Sequence, residues 1–158
     1  MTVYNPAMLV FLMLFGLLQA QAFFTSTLPP ADLQNKQAVL ETSGGTIVLD
    51  LLPEAAPTHV AHFITRAREG AYDGTTFHRV IAMGIIQGGD PLGNGQGGSN
   101  QPTELSDLPF VKGAVGIARG GDIKVSNQYQ FFVCIGECRS LDNQYTNFGS
   151  VTEGQAVA

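Results

Sequence analysis

Charge is in short supply in this chain: eight Lys and Arg stand against thirteen Asp and Glu among 158 residues, a formal net charge of −5. No cationic surface dense enough to track phosphates can be built from that set, which excludes nucleic acid and anionic lipid as charge-driven partners. Cysteine is scarce as well. Cys134 and Cys138 are the only two, and a zinc site needs more ligands than this pair offers. The carboxylates are scattered rather than paired, against hydrolase chemistry built on two acids. Long periodic helices are few, while glycine is frequent at 19 residues, which favours a mainly β fold with many tight turns.

Long apolar runs are confined to the region before Phe23. Met8 to Leu18 has the length of a signal-peptide core and falls short of the ~20 residues that span a bilayer as a helix. Ala20-Gln21-Ala22 follows as a small-x-small cleavage site. The expectation is a signal peptide over residues 1–22 and a mature chain that is exported, periplasmic or secreted, with no membrane attachment. Met1 to Ala7 carries no Lys or Arg, so an uncleaved membrane anchor is the alternative.

Residues 23–36 read as a linker, with Pro29 and Pro30 and no periodicity. Ala38–Thr42 and Thr46–Leu51 flank Ser43-Gly44-Gly45 and predict a β-hairpin. One helix is predicted over Ala56–Glu69, with Pro57 in its first turn and Gly70 closing it. Val60, Phe63, Ile64 and Ala67 give it one apolar stripe. Further strands are expected at Phe77–Ile81, Ile85–Gln87, Gly113–Ala118, Gln130–Ile135 and Asn147–Val151, with a polar loop from Arg119 to Tyr129. The length allows one domain, here residues 37–158.

Two signals are decoys. Gly93, Gly95 and Gly98 satisfy the dinucleotide fingerprint, yet no βαβ unit surrounds them; these glycines are expected to let a loop fold over a groove. His59 and His62 are three apart on the helix, a spacing that can hold metal, but no third ligand is evident. Both are read as surface residues. No cofactor and no metal are expected.

The chemistry concentrates in Phe77-His78-Arg79-Val80-Ile81 and Gln87-Gly88-Gly89-Asp90. They place a guanidinium and an amide on two adjacent strands beside an apolar run. A cation against a dry wall loses hydration, so the arrangement suits a neutral substrate with a carbonyl or imide group and not a phosphate. Strand alternation sends Phe131 and Phe132 to opposite faces, one to a core and one to a pocket.

These blocks, with Tyr72-Asp73-Gly74-Thr75-Thr76 before them and Gln130-Phe131-Phe132-Val133 after, resemble the cyclophilin family of peptidyl-prolyl cis-trans isomerases from about Gln37 to the last residue. The resemblance implies a closed antiparallel β-barrel with a capping helix. It implies rotation about X-Pro bonds as the activity, in a monomer that acts on proline-containing polypeptides and is open to cyclic-peptide inhibitors. For an exported chain the clients would be exported proteins in the course of folding. Arg79 and Gln87 are the expected catalytic pair, with Ile85, Phe132 and Leu141 as the dry pocket. Ala118 and Arg119 are expected as backbone contacts, Tyr145 as a polar wall, and His78 and Gln130 as further substrate-binding positions.

Departures from the family pattern are local. Gly84 stands where a phenylalanine is usual at the pocket base, and Ala82 where proline is usual; Met83 is expected to swing in and fill the gap. The family also continues into a second helix and a closing strand, so the chain reads as C-terminally incomplete, or as a barrel left open beside its first strand. The lost ring favours an alternative function, a catalytically weak module that binds proline-containing segments. Cys134 and Cys138 are left open between a pair and two free thiols, with free thiols favoured.

Overall fold

The computed structural model describes residues 22–158; the apolar run Met8–Leu18 and the charge-poor start lie outside the described residues. After a short 3-10 turn at Pro30–Asp32, the chain forms strands β1 (Gln37–Thr42) and β2 (Gly45–Leu51), then helix α1 (Pro57–Arg68). The remaining strands are β3 (Arg79–Val80), β4 (Ile85–Gly88), β5 (Asn100–Pro102), β6 (Ala114–Ile117), β7 (Val125–Asn127), β8 (Phe131–Cys134) and β9 (Asn147–Glu153). The first hairpin turns in two residues, Ser43 and Gly44, and Gly45 at φ 132° takes a backbone conformation that side chains disfavour. No described helix is long and apolar enough to cross a membrane.

Seven strands make one antiparallel sheet in the order β1-β2-β9-β6-β8-β4-β3. Register shifts at Val48/Leu49 and at Val115/Gly116 mark bulges, and bulges bend and twist the strands that carry them. The sheet curls into a half-barrel with α1 in its hollow. Hydrogen-bonded closure is not reached among the described residues, because β1 and β3 remain the edges.

Alternation along the central strands builds two apolar faces from one sheet. Ile86, Val115, Ile117, Phe131 and Val133 face the hollow and pack with Val60, Phe63 and Ile64 of α1. Ile85, Ala114, Ala118, Phe132 and Cys134 face the opposite way and join Phe110, Cys138, Leu141 and Tyr145. The first face is the fold's core. The second backs the candidate site.

The helix start has no side-chain cap of its own, since Ala56 is the N-cap. Glu104 supplies one from a distant segment. Its carboxylate accepts the N–H groups of Thr58 and His59, each at 2.9 Å, and meets His59 Nδ1 at 2.6 Å. Two orphan donors are thereby satisfied at the positive end of the helix dipole. His59 and His62 are each only 2% exposed, which corrects the surface reading. His59 is carried inside by Glu104. His62 is enclosed edge-on by the rings of Phe24 and Tyr129 and accepts a bond from Arg66 Nε at 3.3 Å.

Residues 119–129 are not all loop. β5 and β7 form a separate two-stranded ribbon, held by amide side chains rather than by an apolar face: Gln128 Nε2 donates to Asn100 O and Gln101 Oε1, each at 3.0 Å.

Candidate active site

A cleft of about 280 Å³ opens on the second face of the sheet. Arg79, Gln87, Ile85, Phe132, Leu141, Ala118, Arg119 and Tyr145 all line it, together with Ile81, Gly84, Glu137, Cys138 and Ser140. A larger groove of about 1080 Å³ runs between β1, α1 and residues 72–77, where the sheet is open. It gathers no comparable set of oriented polar groups against an apolar wall.

Arg79 and Gln87 are cross-strand partners on β3 and β4, which puts both side chains on the same face of the sheet. Arg79 is exposed at the rim, and its Nη1 donates to Gln87 Oε1 at 3.0 Å. Gln87 is buried and donates through Nε2 to Gln130 Oε1 at 3.0 Å. Gln130 in turn donates to Gly97 O at 2.7 Å and Gly95 O at 3.2 Å. Each amide has its acceptor and donor ends fixed by a neighbour, so the guanidinium stands on a three-step relay from backbone to rim. Such a relay holds a donor in place before any substrate arrives.

The glycine loop lies behind this relay, and none of its residues lines the cleft, contrary to the expectation that it folds over the groove. Asp90, 1% exposed, organises it by accepting the N–H groups of Leu92, Asn94 and Gly95. Burial alone would raise the Asp90 pKa, but these backbone donors outweigh it and hold the carboxyl below its usual range.

Phe132 forms the floor. It is 2% exposed, tilted against Phe110 at 5.6 Å and edge-on to Tyr145 at 5.7 Å. Its ring fits because its cross-strand partner is Gly116: a Cβ there would lie 2.3 Å from Phe132 Cζ and 2.6 Å from Phe110 Cε1. Across the mouth, the Arg119 guanidinium sits 4.4 Å above the Tyr145 ring and donates to Gln144 O at 2.9 Å. The cleft thus has an apolar floor between two cationic lips.

Four residues are placed differently from expectation. Gln130 does not line the cleft; it is buried behind Gln87 and positions it. His78 does not line it either. Its ring nitrogens are buried without partners on the side of the Gly95 loop, where a Cβ on Gly95 would lie 3.8 Å from His78 Nε2. Ala118 has both backbone groups engaged, with N–H to Gln130 O and C=O from Asn127 N–H, so it offers the cleft its methyl group. Met83 fills nothing: it is 86% exposed at φ 58° on the β3–β4 turn. Ile81 takes the space instead, lining the cleft and packing where a Cβ on Gly84 would meet it at 3.1 Å. Sequence reading missed Ile81, Glu137, Cys138 and Ser140; their place in the wall depends on the β3–β4 turn meeting the segment after β8, which no local pattern encodes.

The sequence model of the family described as cyclophilin type peptidyl-prolyl cis-trans isomerase/CLD matches residues 38–158. A peptidyl-prolyl cis-trans isomerase of Synechococcus elongatus is 39% identical over 123 residues, covering 77% of this chain and 83% of the relative. The human peptidyl-prolyl cis-trans isomerase-like 1 is 39% identical over 136 residues, covering 82% and 81%. Among solved structures, a Cryptosporidium parvum cyclophilin crystallised in the presence of the dipeptide Ala-Pro superposes with a TM-score of 0.73 at 27% identity, covering 77% of this chain and 82% of that one. The cyclophilin AquaCyp293 of Hirschia baltica gives 0.66 at 29% identity, covering 80% and 67%.

Proposed function

This chain belongs to the cyclophilin-type family of peptidyl-prolyl cis-trans isomerases and catalyses rotation about X-Pro bonds, and we propose that Arg79 supplies the decisive hydrogen bond. The barrier to that rotation, ~18–20 kcal/mol, comes from amide resonance, and uncatalysed X-Pro isomerisation takes tens to hundreds of seconds. As the bond twists, the prolyl nitrogen becomes pyramidal and its lone pair becomes an acceptor. A donor aimed at that lone pair favours the twisted state over both planar isomers, which is differential binding of the transition state. No bond is made or broken.

The observation that carries this reading is the Arg79–Gln87–Gln130 relay at the rim of an apolar cleft. A guanidinium offers a rigid planar fork of N–H donors. Phe132, Ile85 and Leu141 exclude water from the proline ring, which strengthens the guanidinium contact. Substrates are proline-containing polypeptides, bound by a monomer, and cyclic peptides that present an apolar side chain to the same floor would compete. A protease-coupled isomerisation assay on a proline tetrapeptide tests it. Arg79→Ala should lower kcat/KM by roughly 10²–10³-fold, as removal of one preorganised donor does elsewhere; an unchanged rate overturns the role.

A second reading, a weak module that grips proline segments with little turnover, is favoured by the missing ring at Gly84. Peptide binding without rate enhancement in the unaltered protein would select it. The apolar run Met8–Leu18 and the Ala20-Gln21-Ala22 site support export, to the periplasm or beyond, with exported proteins as folding clients; an uncleaved anchor is the alternative. Fractionation with N-terminal sequencing decides between a mature start near Phe23 and an intact chain in the membrane fraction.

A further inference from the structure

The β3–β4 turn carries two costs that the fold does not require. Among the described residues, three other than glycine hold a positive φ: Asn35 at 54°, Met83 at 58° and Asn143 at 57°. Asparagine tolerates that conformation through its short polar side chain. Methionine has no such means, whereas glycine would adopt it freely. Met83 is also 86% exposed, the most exposed large apolar side chain among the described residues. A backbone strain that the surroundings hold in place is an observation from which function is inferred.

The turn is tightly held. Ile81 N–H donates to Ile85 O at 2.8 Å and Gly84 N–H to Ile81 O at 2.9 Å, which closes the hairpin. Gly84 O accepts from Ile135 N–H at 2.8 Å and Gly136 N–H at 3.3 Å, and from Cys138 Sγ at 3.4 Å. The Met83 backbone packs so closely on Gly136 that a Cβ there would overlap Met83 O. Met83 thus stands out from a fixed base, between two cleft-lining residues of the turn, Ile81 and Gly84. Ile81 joins it to the cleft, being both part of the lining and 43% exposed. Val80 faces the other side of the sheet, as its cross-strand partner Ile86 does.

We propose that Met83 and Ile81 form an apolar shelf outside the proline pocket, which binds an apolar side chain of the substrate about three residues from its proline. The proposal rests on the reading of the cleft as the isomerase site and narrows its substrate class. Preferred prolines are those flanked by apolar residues, as in segments that become buried once a chain has folded. The shelf is continuous with the cleft, so its occupant is the polypeptide already held there. Ile81 lies two strand residues from Arg79, about 7 Å, and Met83 stands just past it. An extended substrate whose proline meets Arg79 covers that distance in about two to three residues. Methionine suits the task because its flexible thioether conforms to many apolar shapes.

The test follows catalysed cis-trans exchange by two-dimensional NMR, which needs no coupling protease, on short peptides with one central proline. Leucine stands at the third position before or after the proline, and a control peptide carries serine at both. The unaltered protein should act on a leucine peptide with kcat/KM roughly three- to tenfold above the serine control, the worth of one partly buried apolar side chain. Met83→Gly and Met83→Asn both suit the positive φ. They should keep the Tm and the serine-peptide rate and lose the leucine preference, while Val80→Thr keeps it. Equal rates on leucine and serine peptides overturn the proposal, as does a preference that survives in both Met83 variants or disappears in Val80→Thr. A Tm that falls in both Met83 variants also overturns it, since the side chain would then be holding the turn. If the unaltered protein catalyses exchange in no peptide, the functional reading fails and the shelf is judged by titration. A Kd roughly three- to tenfold tighter for a leucine peptide, lost in Met83→Gly, supports it, and equal Kd values overturn it.

Discussion

At the scale of single residues, the site works by fixing side chains that would otherwise wander. A rim arginine carries about 2 kcal/mol of rotamer entropy, and Gln87 removes part of that cost by accepting from Nη1 at 3.0 Å. Gln87→Ala should therefore weaken catalysis less than Arg79→Ala, by roughly ten- to thirtyfold in kcat/KM, the loss of ~1.5–2 kcal/mol of positioning. Steady-state assays of the two variants and the double variant check this; equal, fully additive losses would mean the two act independently. Gly116 makes a second case. A methyl group there must displace the Phe132 and Phe110 rings, which it would meet within 2.3 Å and 2.6 Å. Gly116→Ala should cost ~1–3 kcal/mol of stability by overpacking and raise KM by moving the cleft floor. Urea melts and Michaelis kinetics separate those two effects.

Among the elements, α1 is the most revealing. Its bounds were legible from the Pro57 start and the Gly70 stop, and the structure places it at Pro57–Arg68. The opposed faces of Phe131 and Phe132 followed from alternation, and the strands expected at Phe77–Ile81 and Ile85–Gln87 from their β-branched residues and the Gly-Gly break are observed as the shorter Arg79–Val80 and as Ile85–Gly88. What the sequence could not reveal was sequence-distant pairing. His59 looks polar and hence exposed until Glu104, 45 residues on, is placed beside it. The ribbon of β5 and β7 escaped because Asn100-Gln101-Pro102 and Val125-Ser126-Asn127 show no apolar alternation. Glu104→Ala should destabilise the fold by roughly 2 kcal/mol, a lost helix cap plus a lost charge-assisted bond, read as a fall in Tm of about 5–8 °C. The helix also sets the acid response. Burial, then the Arg66 charge and His59, lower the His62 pKa from 6.5 to about 4, with Glu69 opposing. The unfolded chain takes up this proton as pH falls through 6.5, while the folded chain refuses it until about 4. Stability should thus fall between those limits, by about 3 kcal/mol, and this contribution should level off below pH 4. Glu104 and Asp90, held below their usual values, add losses that begin as pH falls through the ordinary carboxylate range, 4.5 for Glu104 and 3.8 for Asp90, where the unfolded chain takes up their protons. Thermal melts across pH for the unaltered protein and His62→Gln check the assignment: the variant's curve should be flat between pH 6.5 and 4.5.

The whole molecule is a curled sheet with one face assigned to folding and the other to chemistry. This division explains why the cleft walls come from β3, β4, β8 and the segments after β6 and β8, while β1, β2 and α1 contribute none of its lining. It also implies a gradient of stability. Central strands β6 and β8 are buried throughout, whereas β1 is an edge that alternates between exposed and half-buried residues. Hydrogen exchange should find Val115 and Val133 amides opening only with global unfolding and the outward amides of β1 exchanging fastest within the sheet.

The central claim is that a braced guanidinium, rather than the apolar cleft alone, lowers the rotation barrier. Two-dimensional exchange NMR on a proline peptide, with the unaltered protein and with Arg79→Ala, reads binding and turnover in one sample. Exchange cross-peaks between cis and trans resonances should vanish in the variant while peptide-induced shifts at Phe132 and Leu141 persist. Cross-peaks of undiminished intensity with Arg79→Ala would contradict the account.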